Sequence, residues 1–577
     1  MKLTIRNIAI LVLTVTLIVF ACKKSFLVQT NTFQTTADAT FQKSSDVVSL
    51  INGIYDTYQN SNLLKKSIWY CANFQTHDWF NYGNDVVWNY YGIPADFYAL
   101  PDFWNNMYIG IARANSAFGV IQTAEDRGIV TSDLANRLRG EAYFLRGTFY
   151  YYLAASFGGV PLELNPVTDG LTPRSSQDSA FMQVILDMQM ASSLLPWKEN
   201  LAQADLGRAT KGAALGYEGS ARMWLKDYAT AITDFDSLDG KYHLLTNFID
   251  VHEFSNQNND ESLFEIQFDV PAGGSQSWDG SWQVPGGEIA WIDAFSWPWE
   301  ISGEGYDYGN PGLWYSYQGG DLRKLATICG PGDSSVSPGI IGRGGIKSYT
   351  PVKSGFASGN PVYIGDDNKI INVCGALSHP WYGDDGKRTG YYCAKHWRDP
   401  TLTGSNSNDN GQQLIFGSQN QIMLRYAEIL LDRAECKVRT GDQAGAMADI
   451  KLVRDRAWGG TAPAIMQDGL NYDGSASTPI TDPLQMVLSE YRHELTGEYS
   501  LFYNLRRAGT DVAISFIKQA YGTVDGNTNP VPNPYGPTKD GKLHGLFNAT
   551  LTPERALLPI PQIAIGLNPN LQQNPGY

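Results

Sequence analysis

The sequence is poor in the residues that build metal and redox sites. It holds 6 Cys and 7 His among 577 residues, with no CxxC and no HExxH spacing. Zinc and metalloprotease sites commonly use such spacings, so the sequence predicts no metal site. Five Cys follow Cys22, and Cys374 and Cys393 are the nearest pair that could form a disulfide. The alternative is five unpaired and mostly buried thiols.

Long hydrophobic runs and basic clusters are also scarce. Charged residues make up 18% of the chain, and the net charge is −15, with 43 basic against 58 acidic residues. Nucleic acid and anionic bilayers both attract Lys- and Arg-rich surfaces, which this composition does not supply. We therefore expect no nucleic-acid partner, and the chain is too often interrupted by polar residues for a polytopic membrane protein.

The first residues are typical of a targeting segment. Lys2 and Arg6 precede an apolar run over 8–20, which is too short to span a bilayer comfortably but suits a signal peptide. Val19-Phe20-Ala21-Cys22 resembles the lipobox at which bacterial lipoproteins are cut and acylated. This predicts a signal peptide over 1–21, lipidation at Cys22, a tether over 22–36 and a body over 37–577. A plain secretory signal with an incidental Cys is the alternative.

Helical periodicity predicts a mainly α body built from tetratricopeptide-like helix pairs, with long irregular loops and a few short β segments. One helix is predicted over 134–152, ending at Gly158-Gly159. Helix pairs are predicted over 210–240 and 421–457, because short turns separate two apolar faces in each. A further helix is predicted from Asp482-Pro483 to Arg507.

Irregular stretches are predicted where Gly, Asn, Asp, Pro and aromatic residues accumulate. These cover residues 69–104, 270–350, 355–420 and 520–550. Short β segments are predicted within 263–268 and 370–373. Long loops in a compact protein are usually functional, so we expect the helices to form a frame and the loops to carry recognition.

Several sequence blocks resemble the SusD/RagB-like outer-membrane lipoproteins of Bacteroidota. They occur in the family's order over most of the body. The blocks are Glu141 to Leu162, Ala209 to Ala214, Glu261 to Ile266, Leu424 to Glu428, Val453 to Ala457, Glu490 to Arg507 and Leu558 to Tyr577.

The resemblance implies a protein without catalytic activity and without a cofactor. It implies binding of an oligosaccharide and its delivery to a SusC-like TonB-dependent transporter. It also implies attachment to the outer membrane by a lipid anchor, facing the cell exterior. Two other functions stay open, namely peptide binding by the same scaffold and glycoside hydrolysis, which would need two carboxylates across a cleft.

Tryptophan is concentrated in two windows, residues 69–104 and 278–317, which hold ten of the 15 Trp. Flat rings suit the C–H faces of a sugar, and acid and amide side chains suit its hydroxyls. We expect exposed rings there to bind the ligand, although each ring could instead pack the core. The predicted ligand-binding residues are Trp79, Trp88, Tyr90, Trp291, Trp297 and Trp299, with Asp78, Asn81 and Asp85.

Two acidic groups give weaker indications. Asp366-Asp367 and Asp384-Asp385 lie beside Gly and could hold a structural Ca²⁺, with solvated turns as the favoured interpretation. Glu490, Glu494 and Glu498 follow at four-residue spacing, which would suit acid/base catalysis if they faced a cleft. We expect instead that Arg492, Arg506 or Arg507 pairs with them, or that they cap neighbouring backbone groups.

Overall fold

Helices dominate the structure, which confirms the predicted mainly α fold. The computed structural model describes residues 41–81, 84–268, 296, 307–329, 333–342, 349–357, 360–365, 370–371, 391–396, 398, 419–470, 476–521 and 551–577. Across these ranges, no helix has both the length and the apolar character needed to cross a membrane.

Fifteen α-helices of five or more residues can be followed in the described ranges. They are α1 (Ser44–Tyr55), α2 (Ala99–Asp126), α3 (Ser132–Phe157), α4 (Gln177–Leu194), α5 (Lys211–Trp224), α6 (Tyr228–Asp236), α7 (Pro311–Ser316), α8 (Arg323–Thr327), α9 (Pro338–Gly342), α10 (Tyr426–Thr440), α11 (Gln443–Ala457), α12 (Pro483–Leu495), α13 (Leu501–Ala508), α14 (Thr510–Tyr521) and α15 (Gln562–Leu567).

The strands are short and lie between the helices. They are β1 (Trp79–Asn81), β2 (Ser262–Ile266), β3 (Asp307–Gly309), β4 (Ile328–Cys329), β5 (Tyr349–Ala357), β6 (Asn360–Gly365), β7 (Ile370–Ile371), β8 (Tyr392–Cys393) and β9 (Gln421–Arg425). The antiparallel pairs are β1–β3, β2–β9, β4–β8, β5–β6 and β6–β7. The β segments predicted within 263–268 and 370–373 correspond to β2 and β7.

Both predicted helix pairs are present. In α5–α6 the Asp227 carboxylate caps the second helix by accepting from the amide of Thr230 at 3.4 Å. In α10–α11 the first helix ends at Gly441, whose φ of +91° lies in the left-handed region that favours glycine. The Asp442 carboxylate then caps α11, so each pair is closed by a turn of few residues.

The predicted helix over 134–152 corresponds to α3, which is longer at both ends. Thr131 caps its N-terminus by accepting from the amide of Leu134 at 3.3 Å, and the helix ends before Gly158, as expected. Helices α2 and α4 pack against it. One extensive apolar core runs through most of these helices.

The predicted irregular stretches are only partly irregular. Residues 69–104 contain helical turns over Tyr70–Asn73, Phe74–Thr76 and Asn84–Tyr90 and the start of α2. Strands β5 and β6 and helices α7, α8 and α9 occupy parts of 270–350 and 355–420 that were expected to be irregular. Short elements in Gly- and Asn-rich sequence carry little periodicity, because they are too short to show a repeating apolar face.

The four described cysteines, Cys71, Cys329, Cys393 and Cys436, are free and buried. Burial raises the pKa of the Cys393 thiol to about 12, so it stays protonated at neutral pH. The predicted lipidation site Cys22 and the tether lie outside the described residues, as do Cys374 and the acidic pairs at 366–367 and 384–385. Within the ranges described, no group of His, Cys, Asp or Glu could hold a metal ion.

Candidate functional site

The two aromatic windows meet in the folded chain. Strand β1 belongs to the first window and β3 to the second, and they pair antiparallel with Trp79 opposite Gly309 and Asn81 opposite Asp307. These partners are more than 200 residues apart in sequence. The pairing therefore joins the first window to residues 307–309 of the second.

Side chains reinforce this junction of the two windows. The Asn81 amide Nδ2 donates to Asp307 Oδ1 at 2.7 Å, and the Phe80 ring stacks near Tyr308 with a centroid distance of 5.9 Å. The backbone N–H of Asn310 donates to the backbone carbonyl oxygen of Asp78 at 2.8 Å. Because all of these groups are buried, the junction is a fixed part of the frame rather than a surface contact.

Trp79 and Trp88 lie inside the protein, and the prediction that their rings are exposed is wrong. Both side chains are 0% exposed and belong to the main core. Trp79 donates its Nε1 hydrogen to Thr496 Oγ1 at 2.8 Å, and Trp88 packs edge-on against Tyr70 and Phe97. A ligand reaches either ring only if these neighbours move, so we assign both rings to the frame beneath the site.

The three predicted polar residues are also buried and are bonded within the protein. Asp78 accepts from Arg492 Nε at 2.9 Å and from Thr496 Oγ1 at 3.1 Å. Asn81 is held by Asp307, as described above. Asp85 accepts a hydrogen bond from the Tyr98 hydroxyl and lies 3.8 Å from Lys66 Nζ. These interactions fix the backbone of the first window.

The remaining predicted site residues are not described. Trp291, Trp297 and Trp299 lie outside the described residues, and so does the side chain of Tyr90. Their contact with a ligand stays a prediction.

One half-buried aromatic of the second window was not among the predicted site residues. The Trp314 Nε1 hydrogen is donated to Asp333 Oδ2 at 2.6 Å, and Lys324 Nζ lies 3.1 Å from the Trp314 ring centroid. Burial lowers the pKa of Lys324 to about 8, with Asp333 opposing the shift. The sequence offered no signal for this group, because Lys324 and Asp333 are brought to the ring only by folding.

The prediction of one helix from Asp482-Pro483 to Arg507 is wrong, because a turn divides this segment into two helices. Helix α12 ends at Leu495 and α13 begins at Leu501. Gly497 between them has a φ of +82°. Its amide donates to Asn73 Oδ1 at 2.7 Å, and its carbonyl accepts from Trp69 Nε1 at 3.0 Å. The turn therefore links the two helices to the first window.

Glu490, Glu494 and Glu498 are buried and paired, but not with the arginines that we expected. Glu490 pairs with Arg323 and Arg454, Glu494 with Arg323, Arg425 and Arg456, and Glu498 with Arg425 and Lys395. The expected partners bind elsewhere: Arg492 to Asp78, Arg506 to the Ala155 carbonyl and Arg507 to Asp432. Partners so distant in sequence are set by packing.

The electrostatics of this buried cluster keep the Glu494 carboxylate ionised. Burial alone would raise the pKa of Glu494, but Arg456, Arg425 and Arg323 outweigh it and hold the pKa at about 2. A carboxylate with a pKa as low as that of Glu494 is a poor general acid or base, which argues for a structural role of the cluster.

His77 in the first window is buried as well. Burial lowers the pKa of its imidazole to about 4, so the ring is neutral at physiological pH.

Comparison with known families covers most of the chain. The model of the SusD family matches residues 271–577, more than half of the chain. A second model, described as starch-binding associating with outer membrane, matches residues 26–225.

A curated SusD-like protein from Bacteroides ovatus is 26% identical over 300 residues, which cover 47% of this chain. The match spans about half (52%) of that relative's length.

Two solved structures share the fold. A surface glycan-binding protein A from Bacteroides fluxus has a TM-score of 0.65 at 21% identity, covering 93% of this chain and 100% of that one. A SusD-like carbohydrate binding protein from Bacteroides fragilis has a TM-score of 0.69 at 19% identity, covering 92% and 100%. Together with the family match over more than half of the residues, these findings show that the chain belongs to the SusD family.

Proposed function

We propose that this protein binds an oligosaccharide at the outer membrane and delivers it to a SusC-like TonB-dependent transporter. The observation that carries the proposal is the pairing of β1 with β3, which joins the first Trp-rich window to the described end of the second on a helical frame. The names of the two structural neighbours, both carbohydrate or glycan binders, support the same ligand class.

We propose ligand contacts for aromatic residues of the two windows other than the buried Trp79 and Trp88. These are Tyr90, Trp291, Trp297 and Trp299, together with Trp314, which is half-buried. A pyranose presents C–H faces that pack on such rings, which bury large areas with few rotatable bonds to fix. The buried Trp79 and Trp88, with Asp78, Asn81 and Asp85, hold the backbone of the first window in place.

We propose that the protein binds its ligand without cleaving it. Retaining and inverting glycosidases use two carboxyl groups beside the scissile bond, and one of them carries a proton near neutral pH. The acidic triad at positions 490, 494 and 498 is buried against cations. Its geometry supports a structural role and gives no access to a substrate.

Attachment to the outer membrane follows from the proposed acylation of Cys22, since acyl chains tether an otherwise water-exposed body. Facing the cell exterior, such a body would meet glycan before the transporter does. The match to a family described as associating with the outer membrane supports this placement.

Binding screens of the full chain test the proposal. We expect binding to one class of oligosaccharide on a glycan library, no binding on a matched peptide library, and no product after prolonged incubation with the bound glycan. Binding to peptides alone would contradict the proposed ligand class. Turnover of the glycan would contradict the non-catalytic role.

A further inference from the structure

A lysine side chain lies over the ring of Trp314, the half-buried tryptophan of the second window. The Nζ of Lys324 is 3.1 Å from the ring centroid, so the ammonium contacts one face of the indole. The Nε1 hydrogen of the same indole is donated to Asp333, which fixes the plane of the ring. On this face, Trp314 therefore presents a cation instead of a bare aromatic surface.

This cation is connected to the junction of the two windows. The Trp314 ring packs edge-on against Tyr391 at a centroid distance of 6.0 Å. The backbone carbonyl of Tyr391 accepts from the backbone N–H of Gly309 at 2.7 Å, and Gly309 belongs to β3, which pairs with β1. The pair of Lys324 and Trp314 is thus linked through one residue to the strand that joins the windows.

The Lys324 ammonium has no anion in direct contact. It forms no hydrogen bond and no ion pair with any residue that the structure describes. Asp333 attracts it from farther away, but burial outweighs this attraction and lowers the pKa of the amine to about 8. The side chain is half-buried, so its charge has lost part of its hydration and has gained little in return.

Other lysines that are withdrawn from solvent are satisfied inside the protein. Lys395 donates to Glu498 Oε1 at 2.5 Å, and Lys198 donates to the backbone carbonyl of Ser262 at 2.8 Å. The chain has 58 acidic against 43 basic residues, so carboxylates are not scarce. A partly desolvated ammonium without such a partner can take an anion from a ligand, because a charge-assisted hydrogen bond then replaces the lost hydration.

The position of the ammonium discriminates between neutral and acidic sugars. A neutral pyranose stacks its C–H face on an aromatic ring, and on this face of Trp314 it would first have to displace Lys324. The cation–π contact would then be lost. A sugar that carries a carboxylate or a sulfate ester can instead bind the ammonium where it stands.

Neither the net charge nor Asp333 prevents an anion from reaching this position. At physiological ionic strength, salt screens the repulsion from the net charge of −15 beyond about 8 Å. Asp333 binds the edge of the indole through Nε1, whereas Lys324 covers its face. An anion that approaches over the face therefore meets the ammonium first.

We propose that Lys324, held over Trp314, selects an oligosaccharide that carries an anionic group, either a uronate carboxylate or a sulfate ester. This inference rests on the proposed function and names its ligand class. Trp314 and Asp333 position the lysine, and its Nζ donates to an oxygen of the anionic group. Lysine is a compact point charge, so it accepts either anion without a requirement for planar geometry.

The test uses the full chain and a library of uronate-containing, sulfated and neutral oligosaccharides. We expect the tightest binder to be acidic. By isothermal titration, it should lose affinity about tenfold or more when its carboxylates are reduced to alcohols or its sulfates are removed. The two treatments distinguish the two anions.

Variants assign this preference to the lysine. Lys324→Gln should abolish most of the difference in affinity between the acidic glycan and its neutralised form, and Lys324→Arg should retain it. Lys211→Gln is the matched control, because Lys211 Nζ lies 5.4 Å from the ring centroid of Trp197, outside both windows, and its loss should leave the preference unchanged. Unfolding midpoints show that each variant is folded.

A neutral glycan as the tightest binder would overturn the inference and leave the proposed function standing. An unchanged preference in Lys324→Gln would also overturn it, and so would equal weakening of the acidic and neutralised glycans, since Lys324 would then only brace Trp314. An equal loss of preference in Lys211→Gln would assign the effect to overall charge and count against the site. Absence of binding to any glycan would contradict the proposed function itself, and the inference with it.

Discussion

Glu494 shows how single charged residues stabilise this fold. Its carboxylate is completely buried and contacts Arg425 and Arg456, with Arg323 on the other oxygen at 3.1 Å. Removing one member of such a buried group leaves the other charges without compensation, which typically costs about 3–5 kcal/mol. The sequence shows the four-residue spacing of Glu490, Glu494 and Glu498 but not which arginines pair with them.

The low pKa of Glu494 predicts a pH dependence of stability. Its pKa is about 2 in the folded protein and near its ordinary value in the unfolded chain, so the unfolded state binds more protons between these values. The stabilisation is therefore fully present above about pH 5 and is lost as the pH falls towards 2. We expect it to amount to about 3 kcal/mol.

The difference between wild type and Glu494→Gln isolates this contribution from those of other groups. Urea unfolding at several pH values should show wild type as the more stable protein at pH 6, with the difference shrinking steadily below pH 4. A difference that stays constant from pH 6 to pH 2.5 would show that Glu494 is not held ionised by the cluster.

For single residues, the sequence indicated which ones are unusual but not whether their side chains are buried or exposed. The abundance of Trp in the first window indicated a special region, yet Trp79 and Trp88 are buried there. Their burial depends on Thr496, Tyr70 and Phe97, and the contact between Trp79 and Thr496 joins residues more than 400 positions apart. No local pattern carries that information.

Among the elements, the turn between α12 and α13 requires a glycine at one position. Gly497 is left-handed, and a Cβ added there would lie 3.0 Å from Cys393 Sγ. Its amide and carbonyl both bond to residues of the first window, Asn73 and Trp69. The turn thus couples the helix that carries the acidic cluster to the frame of the candidate site.

Gly497→Ala should lower the free energy of unfolding by about 1–3 kcal/mol, because a non-glycine residue is strained at this φ and is crowded by the thiol. Gly566→Ala in α15 is the control, since a Cβ there meets nothing within 4 Å. It should change stability by less than about 1 kcal/mol. Chemical denaturation measures both, and equal stability of Gly497→Ala and wild type would refute the strain argument.

The elements predicted well from the sequence are helices in which an apolar face repeats over several turns. The helix pairs α5–α6 and α10–α11 were recognisable because two apolar faces flank a short polar turn. The break at Gly497 was not, because apolar residues continue at helical spacing through it. Strand β9 was missed for a similar reason, since its residues run directly into α10.

For the whole molecule, the central feature is a helical frame that brings two distant aromatic windows together. The helical class followed from periodicity, and the family was indicated by sequence blocks that the family match now supports. The pairing of β1 with β3 joins the first window to the described end of the second. Composition alone could not have shown it, because register between strands is set by tertiary packing.

Isothermal titration with the glycan found in the library screen tests the central claim most directly. The triple variant Trp291→Ala, Trp297→Ala and Trp299→Ala should bind about 100-fold more weakly than wild type, since each stacking ring contributes about 1 kcal/mol. Helical circular dichroism should be unchanged. Trp197→Ala, which removes a half-buried ring outside both windows, should bind as wild type does. Wild-type affinity in the triple variant would contradict the assignment of the second window to ligand binding.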